Sequence, residues 1–187
     1  MDSDTLFQDC CSSVIHQLRR LQKDLKPLTE KYLMLQGSDT LKLFDDPTDS
    51  ASTDIEKWIH MAEDERLLLN LNAFLDLERK LERMVEQHSN RTYSTEDGLF
   101  GGLQDVLAQV AALKGQMAQI GVFMGLSIDT TPNTEDVKSK GDEFDEKVEG
   151  YRVLKELSFW IIRSVRDMRK LLGYNGVETE NFSNHEI

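Results

Sequence analysis

Four stretches of this chain repeat apolar residues at alternating intervals of three and four, which is the spacing that places them along one face of an α-helix. These stretches predict helices at about residues 4–36, 62–88, 98–126 and 145–172. Pro27 lies within the first stretch and predicts a bend there. The capping-box pattern Thr53-x-x-Glu56 predicts a short extra turn before the second helix. Three Pro and eleven Gly are too few for a β-sandwich, so we expect an all-α fold.

The connections between these stretches predict how the helices are arranged. The second connection, Ser89 to Asp97, is short and makes the second and third helices antiparallel neighbours. The first and third connections, Gly37 to Met61 and Ser127 to Phe144, are long enough to run the full length of a helix. Long, short and long connections favour an up-up-down-down four-helix bundle with two crossover loops. We expect one domain over residues 1–187, with a flexible tail at 174–187.

Charge and composition exclude several kinds of partner. Lys and Arg total 22 against 34 Asp and Glu, so the formal net charge is −12. This balance disfavours nucleic acid and anionic lipid surfaces as partners. The sequence has no run of about 18 apolar residues, which is the length that would predict a membrane-spanning helix. The acidic N-terminus, MDSDTLFQDCC, lacks the apolar segment of a secretory signal, which predicts a protein kept in a reducing compartment.

The sequence contains no pattern typical of catalysis or metal binding. Nucleophile-elbow, phosphate-loop, zinc-protease and dinucleotide motifs are all missing. The adjacent Cys10 and Cys11 are the only cysteines, and we expect thiols without a chemical role. A ligand-carrying bundle enzyme would need a polar cluster in its core, and the apolar stripes predict none. We therefore expect no enzyme activity, no metal and no cofactor.

The third helix is poor in charge. Asp105 and Lys114 are its only charged residues between Leu99 and Leu126. Two interpretations stay open: the helix is more buried than its neighbours, or its outer face meets a partner, since charge is depleted at the centre of interfaces.

The fourth helix carries basic residues that run against the acidic average. Arg163, Arg166 and Lys170 share one face, with Arg169 beside them. Cations favour the C-terminal end of a helix dipole, which accounts for Arg169 and Lys170 but poorly for Arg163. The alternative is a docking surface for an acidic partner.

Two aromatic residues lie at the ends of the long connections. Trp58 ends the first and Phe144 ends the second. Each could pack beneath its loop as an outlying part of the core, or anchor a protein interface from an exposed position.

Several segments resemble a known family, the ciliary neurotrophic factor family, within the leukaemia inhibitory factor class of long-chain four-helix cytokines. The resemblance rests on residues 25–37 (LKPLTEKYLMLQG), 63–67 (EDERL), 109–112 (QVAA) and 153–160 (VLKELSFW), together with Ser52-Thr-Asp54 and Trp58. Arg163-Ser164 and Asp167 also match. The segments occur in the family's order and cover the chain from about Cys11 to Leu172.

The resemblance implies a neurotrophic cytokine that assembles receptor chains and triggers intracellular kinase signalling. The residues that match the surface for the leukaemia inhibitory factor receptor are Phe144 and Lys147. Those that match or neighbour the surface for ciliary neurotrophic factor receptor α are Trp58, Arg19, Arg163, Arg166 and Arg169. The surface for glycoprotein-130 lies on the first and third helices, where the candidates are Arg20, Lys23, Gln109 and Gln116.

The resemblance also implies a protein that resides in the cytosol until an unconventional route releases it to act outside the cell. Cys11 matches a family cysteine, whereas Cys10, Pro27 and His16 are departures from the family. The alternative class is an intracellular helical adaptor or structural bundle, which would bind intracellular partners rather than receptor ectodomains. Whether the chain forms a weak homodimer stays open.

Overall fold

The computed structural model describes residues 3–37, 41, 55–90, 98–128 and 142–173, and this part of the chain is helical. We number its helices α1 to α5. Their bounds are Ser3–Gln36, Ile55–His60, Glu63–Asn90, Leu99–Phe123 and Glu143–Leu171. None of these five helices is both long and apolar enough to cross a membrane.

The helix bounds agree with the sequence. The four long helices begin and end within three residues of their predicted positions. The short helix α2 occupies the place of the predicted extra turn, and α1 continues through Pro27. The all-α prediction is confirmed, whereas the predicted flexible tail at 174–187 lies outside the described residues.

The long helices form a bundle in which α1 and α3 each pack against both α4 and α5. The Tyr32 hydroxyl, near the end of α1, donates a 3.0 Å hydrogen bond to the carbonyl of Lys147, near the start of α5. Gly121, near the end of α4, packs against Leu67, near the start of α3. The α1–α4 and α3–α5 pairs run antiparallel in the same way. Since α1 and α3 are therefore parallel, the topology is up-up-down-down, as predicted.

The apolar stripes of the four long helices meet inside the bundle and form its core. Leu35 continues the three-and-four spacing of the first stretch, which predicts that it faces the core, but it lies exposed at the last turn of α1. Fully buried members of the core include Leu18, Leu21, Leu71, Phe74, Leu77, Leu81, Leu103, Val110, Leu113, Met117, Ile120, Leu154, Leu157 and Ile161.

A glycine sets the distance between α1 and α5. A Cβ atom at Gly150 would collide with the hydroxyl of Tyr32. The missing side chain therefore lets α1 come close enough for Tyr32 to bond the backbone of Lys147. This contact fixes the first turns of α5 against the end of α1.

Ion pairs tie α3 to both of its neighbours. The Lys80 ammonium lies 2.8 Å from Glu156 on α5 and 2.7 Å from Asp76 on its own helix. Burial lowers the pKa of Lys80, but the hydrogen bonds to Asp76 and Glu156 and the negative charges of these two residues together outweigh burial, and the net pKa is raised. Lys114 on α4 pairs in the same way with Glu78 on α3. These half-buried pairs fix the lateral positions of the helices.

Truncating the core at Leu157 is expected to destabilise the bundle. Leu157 is fully buried on α5, and we expect Leu157→Ala to cost about 2–5 kcal/mol, because the lost contacts leave a cavity. Denaturant unfolding measures this loss. The matched control is Val122→Ala on α4, where the side chain is 67% exposed and the change should stay within about 0.5 kcal/mol. Equal effects of the two substitutions would contradict the core assignment.

Candidate interaction surfaces

The first candidate surface centres on Trp58 in α2. The guanidinium carbon of Arg166 lies 4.0 Å from the centre of the Trp58 ring, and that of Arg66 lies 4.8 Å away. The ammonium of Lys170 lies 5.0 Å from the same centre. All three distances are in the range of cation–π contacts. We call Trp58, Arg66, Arg166 and Lys170 the cation cluster.

A set of buried polar side chains lies directly beneath the cation cluster. Asp167 on α5 is fully buried and accepts hydrogen bonds from the indole Nε1 of Trp58 and, at 2.8 Å, from Nδ2 of Asn70 on α3. The Oδ1 atom of Asn70 accepts a 2.7 Å hydrogen bond from the hydroxyl of Ser164. We call Asp167, Asn70 and Ser164 the buried polar network. It joins the end of α5 to the start of α3 and to α2.

This network corrects one expectation. The apolar stripes predicted no polar cluster in the core, and that prediction is wrong at this end of the bundle. The available signal was that Asn70 and Ser164 occupy core-facing positions within the stripes of their helices. Buried polar groups need hydrogen-bond partners, and the three side chains of the network supply partners for one another.

Arg66 is a further buried residue that the sequence did not single out. Its side chain is almost fully buried, and its Nη2 donates to the carbonyls of Trp58 at 2.6 Å and Ile59 at 3.2 Å. The Nε and Nη1 atoms of Arg66 find no hydrogen-bond partner among the residues that the structure describes. Arg66 therefore fixes the backbone of α2 from below.

The basic residues predicted to share one face of α5 differ in their exposure to solvent. Arg163 is only 6% exposed, and its guanidinium carbon lies 4.7 Å from the centre of the Trp160 ring. Burial lowers the pKa of Arg163, and the nearby Asp167 carboxylate opposes this only in part. Arg166, by contrast, keeps 45% of its side chain exposed, and Arg169 is also exposed. The face that reaches solvent therefore carries Arg166 and Arg169 but not Arg163.

Arg19, the remaining residue matched to this surface, lies exposed on α1. Within the part of the chain that the structure describes, no recorded contact joins it to the cation cluster. The structure thus brings Trp58 and Arg166 together and leaves Arg19 on a separate helix.

The second candidate surface lies at the start of α5, at the opposite end of the bundle. Asp142 and Asp145 form a capping box, in which the Asp145 N–H donates at 2.9 Å and the Asp142 N–H at 3.4 Å to the other carboxylate. Phe144 follows the cap and is 41% exposed. The ammonium of Lys147 lies 3.0 Å from the Glu143 carboxylate. Phe144 and Lys147 are three residues apart on this helix, so they share a face.

The third candidate surface spans the neighbouring helices α1 and α4. Gln109 on α4 donates a 3.0 Å hydrogen bond to Asp24 on α1. Arg20 and Lys23 are exposed on α1, and Gln116 is half-buried on α4. The structure thus places the four predicted residues of this surface on two adjoining helices.

The outer side of α4 lies at the molecular surface. The interpretation that this helix is simply more buried is therefore wrong for its outer side, where small residues are exposed to solvent. They are Gly101, Ala108, Ala112 and Gly115.

We expect both thiols of the folded chain to react slowly. Cys10 and Cys11 are free, and burial raises the pKa of each, that of Cys11 to about 12 with a smaller contribution from Cys10. Little reactive thiolate therefore exists at pH 8. Mass spectrometry after brief iodoacetamide treatment should find the native protein mostly unmodified and the guanidinium-unfolded control fully modified. Rapid alkylation of native Cys11 would contradict its burial.

The fold and the exposed surfaces define a class of protein. An up-up-down-down bundle of four long helices is the architecture of the growth hormone and cytokine bundles. A family model described as "Ciliary neurotrophic factor" matches residues 3–183. The chain therefore belongs to the ciliary neurotrophic factor family, and it is a neurotrophic cytokine.

Curated relatives support this membership over most of the chain. Ciliary neurotrophic factor of Sus scrofa is 31% identical over 185 residues, covering 95% of this chain and 90% of that protein. Ciliary neurotrophic factor of Homo sapiens is 30% identical over 164 residues, covering 87% and 82%. Cardiotrophin-2 of Mus musculus is 31% identical over 173 residues, covering 81% and 78%.

Proposed function

We propose that the protein acts outside the cell by bringing together ciliary neurotrophic factor receptor α, the leukaemia inhibitory factor receptor and glycoprotein-130, which triggers intracellular kinase signalling. The observation that carries this proposal is that α5 presents two chemically different exposed surfaces, one near each end. Phe144 and Lys147 lie near its start, and Arg166 lies near its end. With about 1.5 Å of rise per residue, Lys147 and Arg166 are about 28 Å apart along the helix axis, which leaves room for two receptor chains.

The cation cluster is assigned to the α-receptor. Arg166 and Arg169 supply exposed positive charge on an acidic protein, so a partner surface that carries carboxylates would be attracted to this end. Trp58 adds aromatic area beside these charges. Arg19 is a further candidate on α1. Arg163 contributes by supporting this surface from below and not by contacting the receptor, because its side chain is buried.

The other two surfaces are assigned to the signalling chains. Phe144 and Lys147 offer the leukaemia inhibitory factor receptor an exposed ring beside an ammonium, a combination suited to an interface anchor. The α1–α4 face offers glycoprotein-130 a row of small exposed side chains on α4, which permits close approach. Its polar candidates are Arg20, Lys23, Gln109 and Gln116.

Receptor assembly requires no catalysis and no cofactor. The protein's place before release is proposed to be the cytosol, with export by an unconventional route. The free thiols of Cys10 and Cys11 suit a reducing compartment. Export from cells that is insensitive to a block of the endoplasmic reticulum–Golgi pathway would support this part, and complete inhibition by the block would contradict it.

A reporter assay tests the receptor set. Cells carrying the leukaemia inhibitory factor receptor and glycoprotein-130, with and without the α-receptor, are treated with folded protein. We expect a response that depends on the α-receptor. A response without the α-receptor would contradict its assignment, and silence in both cell lines would favour an intracellular adaptor.

The charge assignment has its own matched pair of variants. Arg166→Gln and Arg152→Gln each remove one exposed positive charge from α5, but Arg152 lies outside the proposed surfaces. We expect only Arg166→Gln to weaken the response that depends on the α-receptor. Equal responses of the two variants would contradict the assignment of the cation cluster.

A further inference from the structure

We propose that Asp167 is the positioning residue of the cation cluster. By holding the indole N–H of Trp58, it fixes the ring on which Arg166 and Lys170 lie, and so sets where an acidic partner surface meets their positive charges. This inference deepens the proposed α-receptor assignment and rests on it.

The first step of the argument is the division of the Asp167 carboxylate between two sets of partners. Its Oδ1 atom accepts from the Trp58 indole and lies 3.7 Å from Nε of Arg166. Its Oδ2 atom accepts from Asn70 at 2.8 Å and lies 3.7 Å from Nε of Arg163. A fully buried carboxylate depends on such partners to offset its lost hydration. The position of Trp58 is therefore coupled to that of α5.

The second step is that cations already lie against the Trp58 ring. Arg166 and Lys170 are four residues apart on α5, so their side chains project from the same face and reach the same ring. Arg66 also contacts the ring, and it bonds the backbone of α2. Trp58 therefore orders the cations that lie against its ring. It does not act as an aromatic anchor that inserts into a pocket of the partner.

The third step concerns affinity. Long basic side chains lose conformational freedom when they bind, and prior ordering reduces this cost. Arg166 is half exposed and already lies on the ring, so it can meet a partner carboxylate in a prepared position. Asp167 is fully buried and acts on the partner only through Trp58 and Arg166.

Two variants test whether Trp58 acts by ordering the cations or by contacting the partner directly. Trp58→Phe keeps an aromatic ring but removes the N–H that Asp167 accepts. Asp167→Asn keeps the shape of the side chain but removes its charge, which weakens the bond to the indole. We expect each variant to bind the purified α-receptor ectodomain about tenfold more weakly than the unmodified protein.

The exchange rate of the Trp58 indole proton reports on the hydrogen bond to Asp167. The chain has only two tryptophans, so ¹⁵N-tryptophan labelling gives two indole signals, and Trp58→Phe identifies the signal of Trp58. We expect the Trp58 indole proton to exchange slowly with solvent in the unmodified protein and at least about tenfold faster in Asp167→Asn. A general loss of stability would accelerate the exchange of both indole protons with solvent.

The control for stability is Leu103→Ala. Leu103 is a fully buried core residue near the start of α4, at the end of the bundle away from Trp58. This variant should unfold more easily but bind the ectodomain like the unmodified protein. Arg166→Gln serves as the variant of a proposed contact residue.

The outcomes separate this inference from the proposed function. If Trp58→Phe binds like the unmodified protein while Arg166→Gln binds weakly, the positioning role of Asp167 is overturned and the receptor assignment stands. If Arg166→Gln also binds normally, the receptor assignment itself fails. Should Asp167→Asn not fold, the binding of Trp58→Phe still decides between these results.

Discussion

Replacement of Phe144 and Lys147 together by alanine is expected to lower signalling potency by at least about 100-fold without loss of the fold. Phe144 is 41% exposed, and the Lys147 side chain reaches solvent beside Glu143. The contact that holds this end of α5 uses the backbone carbonyl of Lys147 and the side chain of Tyr32, so both substitutions leave it in place. The reporter assay measures potency, and circular dichroism verifies the helix content.

The matched control for this double variant is Glu149→Ala with Arg152→Ala. Both residues are exposed on α5 just beyond the candidate surface, so this control also removes two exposed side chains from the same helix. We expect it to signal normally. Normal signalling by Phe144→Ala with Lys147→Ala would disprove the assignment of this surface to the leukaemia inhibitory factor receptor.

The second large effect is expected from Asp167→Ala, which should destabilise the protein by about 3–5 kcal/mol, because it leaves a buried arginine without its counter-charge. Arg163 is the buried partner, and its Nε atom lies 3.7 Å from the Asp167 carboxylate. Trp58 and Asn70 also lose an acceptor. Denaturant unfolding at pH 7 measures the loss.

The comparison for Asp167→Ala is Asp76→Ala. Asp76 also pairs with a basic residue four positions away, but its side chain is 52% exposed. Water therefore screens the pair, and we expect a loss of only about 0.3–0.5 kcal/mol. If both substitutions cost the same, the network beneath Trp58 contributes no special stability.

The sequence predicted the long helices well because each carries a long apolar stripe, and the burial of such stripes determines where a bundle helix forms. The start of α5 was placed two residues late. Its capping box uses Asp145 where the usual pattern has Glu or Gln, so the sequence signal was weak. The topology followed from the connection lengths alone.

The candidate surfaces were predicted less completely, for a physical reason. Periodicity shows which face of a helix a residue occupies, but not which residue of another helix lies opposite. Asn70, Ser164 and Asp167 lie on two different helices and meet only after these pack together. Spacing alone also grouped Arg163 with the exposed Arg166, although Arg163 is buried and its recorded partners Trp160 and Asp167 lie on its own helix.

The continuity of α5 has a consequence for the geometry of the proposed receptor complex. The helix runs without a break from Glu143 to Leu171, so it acts as a ruler that fixes both the separation and the angular phase of the two receptors at its ends. One residue inserted between Lys147 and Arg166 would rotate one surface against the other by about 100°. The same rotation would turn the apolar stripe on one side of the insertion away from the core that Leu154, Leu157 and Ile161 help to form. The relative orientation of the two receptors is therefore set by the same packing that holds the bundle together.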